Sequence, residues 1–355
     1  MAVHIPTSVE GAANGRVNII GEHTDYNGGL VLPTLVPLRT VVRLRPREGR
    51  AVTVSSTLPG MNTVATSLDD LSPRGIWSDH VLGVADALER RGYRLGGFDG
   101  EVRSEVPMGA GLASSAALAV ATVRALRDSF GLSIADRDIA RVAHESEYSF
   151  VGARVGRMDQ LVCSLGREGE ALLVDMQGMR SRAVRLDRID IDIVVIDSGI
   201  RHEHATGGYN ERRAECEEAE RLLGVATLRD VTAMTDTSGL PPKLASRVRH
   251  VLSENARVEA AVRAIEHGDA EALGTIINEG HASLRDDFDV SIPAIDAMVS
   301  AAQADKDVLG ARITGGGFGG CVLVIARKGR GRAAGQRIVK KAGGAARMVV
   351  APPAV

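Results

Sequence analysis

Apolar and polar positions in the first half of the chain follow two periods, one typical of strands and one typical of helices. Alternating or β-branched segments predict strands at 17–20, 40–44, 52–55 and 101–106, and helical spacing predicts helices at 79–91 and 134–148. The last of these strands leads through a glycine-rich loop into an alanine-rich helix. We expect Ser114 or Ser115 to cap this helix at its start and expect the helix to end near Asp128.

The second half of the chain, after the glycine at 178, predicts a similar mixture. We expect a strand at 189–196, helices at 211–223, 245–267, 270–284 and 292–304, a strand–glycine–strand element at 311–326, and a last helix and strand. Strands and helices do not alternate in the regular way that a doubly wound sheet requires. The pattern therefore predicts two α+β domains, 1–178 and 179–355.

Composition narrows the class of protein. The chain has 355 residues, of which 44% are hydrophobic and 25% charged, and its net charge is −2. These values exclude a disordered or collagen-like chain, and the charge argues against a nucleic-acid partner. The three cysteines form no disulfide or metal pattern, no apolar run approaches about 20 residues, and the N-terminus lacks a signal-peptide pattern. We expect a soluble, cytoplasmic protein with no membrane partner.

The glycine loop before the alanine-rich helix is the first candidate for chemistry. Gly109 and Gly111 allow the backbone to approach an anion, and the free N–H groups at the start of a helix supply donors. The lysine of a P-loop is missing, because the first lysine of the chain is Lys243. The loop predicts a phosphate site built from backbone groups, with a plain serine-capped helix as the alternative.

A second glycine cluster, 315–320, formally matches the dinucleotide pattern G-x-G-x-x-G. An apolar strand follows it, however, where the dinucleotide motif needs a helix. We interpret it as a tight hairpin whose backbone comes close to a partner.

A third cluster follows the short strand at 17–20. Glu22, His23, Thr24 and Asp25 concentrate donors and acceptors in the way that a polyhydroxylated ligand requires, since each buried hydroxyl needs a partner. The alternative is a solvated hairpin loop closed by Asn27 and the glycine after it.

Two further sets of residues are candidates for chemistry. Asp159 is a candidate acid or base, although an isolated Asp in a glycine-flanked apolar segment is more often a helix cap. His202 and His204 could bind a metal, but no third ligand stands nearby in the sequence, so we interpret them as part of a solvated loop.

Together these motifs resemble the galactokinase branch of the GHMP small-molecule kinase superfamily, which also contains homoserine, mevalonate and phosphomevalonate kinases. Residues 15–29 resemble the galactokinase signature, 106–117 the phosphate loop of the superfamily and 311–321 its third motif. Similar stretches at 156–160, 209–213, 247–257 and 281–288 extend the likeness to most of the chain.

The resemblance implies a two-lobed α+β fold, with an N-terminal lobe of the ribosomal S5 domain 2 type, a ferredoxin-like C-terminal lobe, and the active site between them. It implies a phosphotransferase with an alcohol group as acceptor. The reaction would transfer the γ-phosphate of ATP to the C1 hydroxyl of α-D-galactose, in a monomer or a weak homodimer.

The resemblance also implies roles for individual residues. Asp159 would accept the proton of the C1 hydroxyl beside Arg16, and Ser115 and Glu147 match the positions that hold Mg²⁺. The residues expected to contact the sugar are Glu22, His23, Thr24, Asp25, Gly156, Asp159 and Tyr209. The residues expected to wrap the ATP phosphates are Gly109, Ala110, Gly111, Leu112, Ala113, Ser114 and Ser115.

Three alternatives stay open at this point. One is a non-sugar kinase of the superfamily, for mevalonate or homoserine, which is disfavoured because such an enzyme would not need the polar stretch at 22–26. Another is a related sugar kinase for N-acetylgalactosamine, arabinose or another hexose. It stays open because Arg157 replaces the apolar residue that is usual beside the catalytic Asp in this family. The alternative of another class is a catalytically inactive, galactose-sensing regulator.

Overall fold

The computed structural model describes residues 8–153, 155–200 and 205–352, with the backbone alone at 205 and 206. The chain forms two compact units. Unit 1 comprises 1–16, 35–108 and 112–166, and unit 2 comprises 17–34, 109–111 and 167–355. The predicted domain boundary at 178 stays a prediction, and His202 and His204 lie outside the described residues.

The strands of the described ranges are β1 (Val9–Asn18), β2 (Leu30–Val31), β3 (Pro33–Arg47), β4 (Ala51–Ser56), β5 (Val64–Ser67), β6 (Gly97–Ser104), β7 (Glu170–Asp175), β8 (Arg180–Arg185), β9 (Ile191–Asp197), β10 (Val308–Thr314), β11 (Cys321–Arg327) and β12 (Arg347–Val350). The α-helices are α1 (Asp79–Arg90), α2 (Ser114–Phe130), α3 (Asp136–Glu145), α4 (Met158–Leu165), α5 (Ala205–Leu223), α6 (Pro242–His267), α7 (Ala270–Asp286), α8 (Pro293–Gln303) and α9 (Gly331–Ala342).

Unit 1 combines an antiparallel-rich sheet with α1 to α4. β6 pairs antiparallel with β3 and parallel with β4, and β4 pairs with β5. Apolar and charged residues alternate along β3, and this alternation determines which face of the strand is buried. Val42 and Leu44 are fully buried, whereas Arg43 and Arg45 are exposed. The small side chains of α2 let β1 approach closely, since a Cβ at Gly11 would lie 2.1 Å from the carbonyl oxygen of Ala121.

Unit 2 contains a sheet in the order β10-β11-β9-β12, in which all pairs are antiparallel. β11 is buried along nearly its whole length, which explains its continuous apolar sequence. α7 contacts β10 backbone to backbone, since a Cβ at Gly274 would lie 2.4 Å from the carbonyl oxygen of Leu309. β7 pairs with β2 and β8 in the same unit.

The structure confirms most predicted elements and corrects two details near the candidate site. Neither serine caps α2, because Ala113 occupies the N-cap position in a left-handed conformation with φ of 58°. The α-helix predicted to reach 148 ends at Glu145 and continues as a π-helical turn, Ser146–Val151. Such turns reorient side chains within a helix and are frequent at functional sites.

The sequence analysis missed the strands β2, β5, β7 and β8 and the helix α4. They are short, and β8 is largely exposed and rich in arginine, so the apolar alternation that reveals a strand is absent there.

Candidate active site

Arg16 and Asp159 form a bidentate ion pair in unit 1. Arg16 stands near the end of β1, and Asp159 is the second residue of α4, not its cap. Arg16 Nε donates to Asp159 Oδ1 at 2.7 Å, and Arg16 Nη2 donates to Oδ2 at 2.5 Å. The fork of the guanidinium fixes both carboxylate oxygens. The Asp159 side chain keeps 26% exposure, so a ligand can still reach it. Arg157 beside it is exposed.

A second cluster in unit 1 surrounds Glu147, which the π-helical turn carries. The buried Glu147 carboxylate accepts hydrogen bonds from the Gln160 side-chain amide and the Ser115 hydroxyl. Burial raises the pKa of Glu147, and these two hydrogen bonds oppose the rise. His80 Nδ1 lies 3.8 Å from Glu147 Oε1. The sequence analysis missed Gln160 and His80, because neither residue stands in a motif that points to Glu147.

The Glu147 cluster suits a hard cation that is shared with a phosphate. Ser115 and Glu147 offer oxygen ligands, and the Gln160 Oε1 atom is buried without a hydrogen-bond partner in the described chain. Across the described ranges, no group of three or more His, Cys, Asp or Glu side chains could hold a metal alone. Mg²⁺ is usually held by one or two protein oxygens together with substrate phosphates, so this donor set fits it.

The glycine loop before α2 offers backbone groups to a ligand. Gly109 and Gly111 have φ of 66° and 77°, values that glycine adopts without strain. Ala110 and Leu112 are buried at 0% and 1% exposure, so their side chains pack inward. Ala113 precedes the helix, and Ser114 and Ser115 are its first two residues, where N–H groups lack intrahelical partners.

The predicted hairpin at 315–320 is confirmed. Thr314 of β10 pairs with Cys321 of β11, and the turn between them contains Gly315 at φ of 91°. Within unit 2, a Cβ at Gly315 would lie 3.4 Å from the Gly111 Cα atom, so the two glycine stretches approach each other.

A cavity of about 230 Å³ in unit 1 opens beside the start of α2. Its lining is mainly apolar and includes Trp77, Met108 and Leu118, with Ser114 and Ser115 at one side. Such a lining suits a flat, largely apolar group attached to a phosphate chain.

The polar cluster after β1 is buried in unit 2. Glu22, His23 and Thr24 are 4%, 5% and 0% exposed, so the alternative of a solvated hairpin loop closed by Asn27 is wrong for these residues. The Thr24 hydroxyl lies 2.9 Å and 2.6 Å from the carbonyl oxygens of Gly21 and Leu30 and therefore serves the loop itself. Asp25 is half-buried at the start of a 3₁₀ turn, Asp25–Asn27.

Aromatic rings surround His23. Its ring lies 4.7 Å from that of Phe288 and 5.4 Å from that of Tyr209, and Nδ1 lies 2.9 Å from the Tyr26 hydroxyl. Burial is the main reason that the pKa of His23 is lowered to about 3, and the nearby His250 lowers it further. A backbone hydrogen bond with Gly316 opposes this shift. His23 therefore stays neutral at physiological pH, and unit 2 brings it together with Tyr209. Gly156 is half-buried in unit 1, before α4.

The Glu22 carboxylate has partners that the sequence analysis missed. Arg312, at 0% exposure, contacts Glu22, and its Nη1 lies 3.2 Å from Oε1 of the buried Glu254. One signal could have found Arg312, since a charge within an apolar strand needs a buried counter-charge.

Family models match both halves of the chain. The model described as "GHMP kinases N terminal domain" matches residues 79–167, and "GHMP kinases C terminal" matches 261–345. The crystal structure of a mevalonate kinase shares the fold at a TM-score of 0.71 and 15% identity, over 97% of this chain and 98% of that chain. The fold and the site thus define a GHMP kinase, a class that uses ATP.

Further comparisons are narrower. The "Galactokinase galactose-binding signature" matches residues 6–46. A galactokinase of Thermotoga neapolitana is 40% identical over 317 residues, 89% of either chain. The structure of Lactococcus lactis galactokinase complexed with galactose has a TM-score of 0.90 at 31% identity, covering 98% of this chain and 94% of that chain. This chain belongs to the galactokinase family.

These matches confirm the resemblance and the α+β fold with N- and C-terminal domains. No helix in the described part of the chain is both long enough and apolar enough to span a membrane.

Proposed function

We propose that the protein transfers the γ-phosphate of ATP to the C1 hydroxyl of α-D-galactose, giving α-D-galactose 1-phosphate and ADP. The observation that carries the proposal is the polar loop at residues 22–25, in which Glu22, His23 and Thr24 are buried, within the region that matches the galactose-binding signature. The buried polar groups of Glu22 and Thr24 are paired within the protein, so the loop offers a fixed surface to a ligand of matching polarity.

Asp159 accepts the proton of the attacking hydroxyl. The bidentate contact with Arg16 holds the carboxylate in one orientation, at 2.7 Å and 2.5 Å. Phosphoryl transfer passes through a loose transition state, so orienting the hydroxyl contributes as much as removing its proton. The Arg16 guanidinium also offsets the negative charge that develops on the transferred group.

The ATP phosphates bind to backbone N–H groups of the loop from Gly109 to Ser115, which replace the missing lysine. The adenine occupies the cavity beside Trp77 and Met108. Ser115 and Glu147 would hold Mg²⁺, which when bound neutralises charge on the β- and γ-phosphates.

The sugar hydroxyls are read by side chains of the buried loop and its neighbours. Asp25 accepts hydrogen bonds from vicinal hydroxyls, and neutral His23 offers one donor or one acceptor. Tyr209 contributes its hydroxyl and a ring against the sugar. The remaining contacts come from Asp159 and the Gly156 backbone. Glu22 and Thr24, whose oxygens are already paired within the protein, hold the loop in shape. We place this reaction in the cytoplasm, in a monomer or a weak homodimer without nucleic-acid or membrane partners.

The test is ADP release from Mg-ATP with galactose, glucose, N-acetylgalactosamine, arabinose and mevalonate in parallel. The proposal predicts strong turnover with galactose. Turnover with a different sugar instead would keep the mechanism and overturn the substrate. Silence with every substrate, combined with galactose binding by calorimetry, would favour a sensor and contradict the proposal.

A further inference from the structure

We call the polar loop at residues 22–25 the sugar loop. Around and beneath it, unit 2 buries a cluster of opposite charges that takes no part in the proposed phosphoryl transfer. Arg312 and Glu254 are 0% exposed, and Glu22 is 4% exposed. The Arg312 guanidinium contacts both carboxylates, and Arg257 Nε donates to the second oxygen of Glu254 at 2.7 Å. Buried charges persist only when each has a counter-charge and hydrogen bonds, so the position of each group depends on the others.

Glu254 holds the backbone where the sugar loop begins. Its Oε1 accepts the backbone N–H groups of Gly21 at 2.9 Å and Glu22 at 3.3 Å. Gly21 has φ of 103°, and a Cβ there would lie 2.6 Å from the Leu30 carbonyl oxygen. The chain therefore turns in a confined space, and the turn is fixed by a carboxylate of α6.

Glu22 ties the same loop to the start of the glycine hairpin. Its Oε1 accepts the Thr314 hydroxyl at 2.7 Å and the Gly315 N–H at 3.1 Å. Its Oε2 accepts the Asn18 side-chain amide at 2.8 Å and also faces Arg312. The lone pairs of this carboxylate are thus occupied from several directions.

We propose that Arg312 is the positioning residue of the sugar loop, and that it sets galactose affinity by holding Glu22 and Glu254 together. A planar guanidinium can engage two carboxylates with fixed geometry, whereas a lysine ammonium is a point charge on a flexible stem. Without Arg312 the two buried carboxylates repel each other, and the backbone from Gly21 to Asp25 loses its fixed shape. The inference rests on the proposed function, because it names galactose as the ligand.

The test compares Arg312→Lys with the matched control Arg337→Lys. Arg337 also bridges two carboxylates, with Nη2 at 2.7 Å from Asp305 and 2.7 Å from Asp307, but its side chain is 39% exposed. We measure galactose Kd by calorimetry, KM for galactose and for ATP, and thermal unfolding. Losing charged hydrogen bonds predicts a galactose Kd raised about 10- to 100-fold in Arg312→Lys. The KM for ATP should change less than about threefold, and Arg337→Lys should bind galactose like the wild type.

A merely structural role gives a different pattern. Arg312→Lys would then unfold at lower temperature and contain less active protein, while the folded fraction kept the wild-type galactose Kd. That result overturns the proposal, as does an equal rise in both KM values.

A second pair of variants covers the case in which Arg312→Lys does not fold. Thr314→Val removes the hydroxyl that donates to Glu22 without changing the shape of the side chain, and Thr314→Ser retains it. We expect a galactose Kd raised about fivefold or more in Thr314→Val and restored in Thr314→Ser. Equal affinity in both variants contradicts the proposal.

The same variants distinguish a wrong positioning role for Arg312 from a wrong substrate in the proposed function. If the wild type phosphorylates another sugar, the substrate is wrong, and the same variants are then measured with that sugar. A selective loss of its affinity in Arg312→Lys still supports the positioning role, and no loss overturns it.

Discussion

The two candidate regions differ in how far their charged side chains are exposed to solvent. In unit 1 the Asp159 side chain is paired with Arg16 yet keeps 26% exposure. In unit 2 the charges beneath the sugar loop, Glu22, Glu254 and Arg312, are sealed at 4% exposure or less. A group that exchanges a proton with a substrate must be reachable, whereas a group that shapes a loop is most effective where water cannot compete.

This difference separates the expected effects of mutation. Changes at the reachable pair should lower turnover while the folded structure and ligand binding persist. Changes around the sealed cluster should act on galactose affinity and on stability. The predictions below test that separation.

The largest effect is expected at Asp159. Asp159→Asn keeps the shape of the side chain but cannot accept the proton, so kcat should fall roughly 10²–10⁴-fold, the usual contribution of a positioned base. Galactose Kd should stay near the wild-type value. The control is Asp138→Asn, at a partly exposed ion pair with Arg141 on α3. Turnover near wild type in Asp159→Asn contradicts the assignment.

A substitution at Asp25 tests the corresponding prediction for unit 2, an effect on galactose affinity. Asp25→Ala leaves sugar hydroxyls unpaired, which costs about 1–3 kcal/mol and should raise the galactose KM about 5- to 150-fold. The KM for ATP should change little. Steady-state kinetics with each substrate varied in turn measures the split, and the reverse pattern would refute Asp25 as a sugar-reading residue.

Glu147 tests the metal assignment. Glu147→Gln retains the size of the side chain but removes its charge, so the Mg²⁺ concentration for half-maximal activity should rise about tenfold or more. Binding of Mn²⁺ to the enzyme with a non-hydrolysable ATP analogue, followed by electron paramagnetic resonance, should weaken in parallel. Unchanged Mn²⁺ affinity removes Glu147 from the metal site.

The last prediction concerns the stability of the fold and its dependence on pH, with no change in activity required. Burial lowers the pKa of His23 to about 3 and that of His250 to about 4. The unfolded chain binds protons at these sites below about pH 6.5, while the folded chain does not. Their stabilising contribution is therefore complete above pH 6.5 and declines as the pH falls, by up to about 1.4 kcal/mol per pH unit for each histidine.

Urea unfolding between pH 7.5 and 5.0 measures this decline. His250→Gln removes one titrating site and should flatten the slope of unfolding free energy against pH. An identical slope in the variant and the wild type contradicts the assignment of His250 as a buried neutral histidine.

The sequence predicts the elements better than the contacts that hold the site. Local periodicity and turn residues are enough to predict α1, α6 and the hairpin at 315–320. The π-helical turn that carries Glu147 has no local signal, because it depends on packing against the rest of unit 1. The left-handed conformation of Ala113 is likewise imposed by the surrounding structure, since alanine does not favour it.

Contacts between residues that are far apart in the sequence are the second feature that the sequence could not predict. Glu254 and Arg312 stand on α6 and β10, and neither residue alone reveals its partner. Only the folded sheet and helices bring the two together with Glu22, which is why the positioning role of Arg312 emerges from the structure alone.

The most direct test of the central claim identifies the product. ³¹P nuclear magnetic resonance of a reaction with Mg-ATP and galactose distinguishes an anomeric phosphate, coupled to one proton on C1, from a phosphate on C6, coupled to two protons. We predict a single doublet from α-D-galactose 1-phosphate. A signal from the 6-phosphate, or no sugar phosphate at all, would contradict the account.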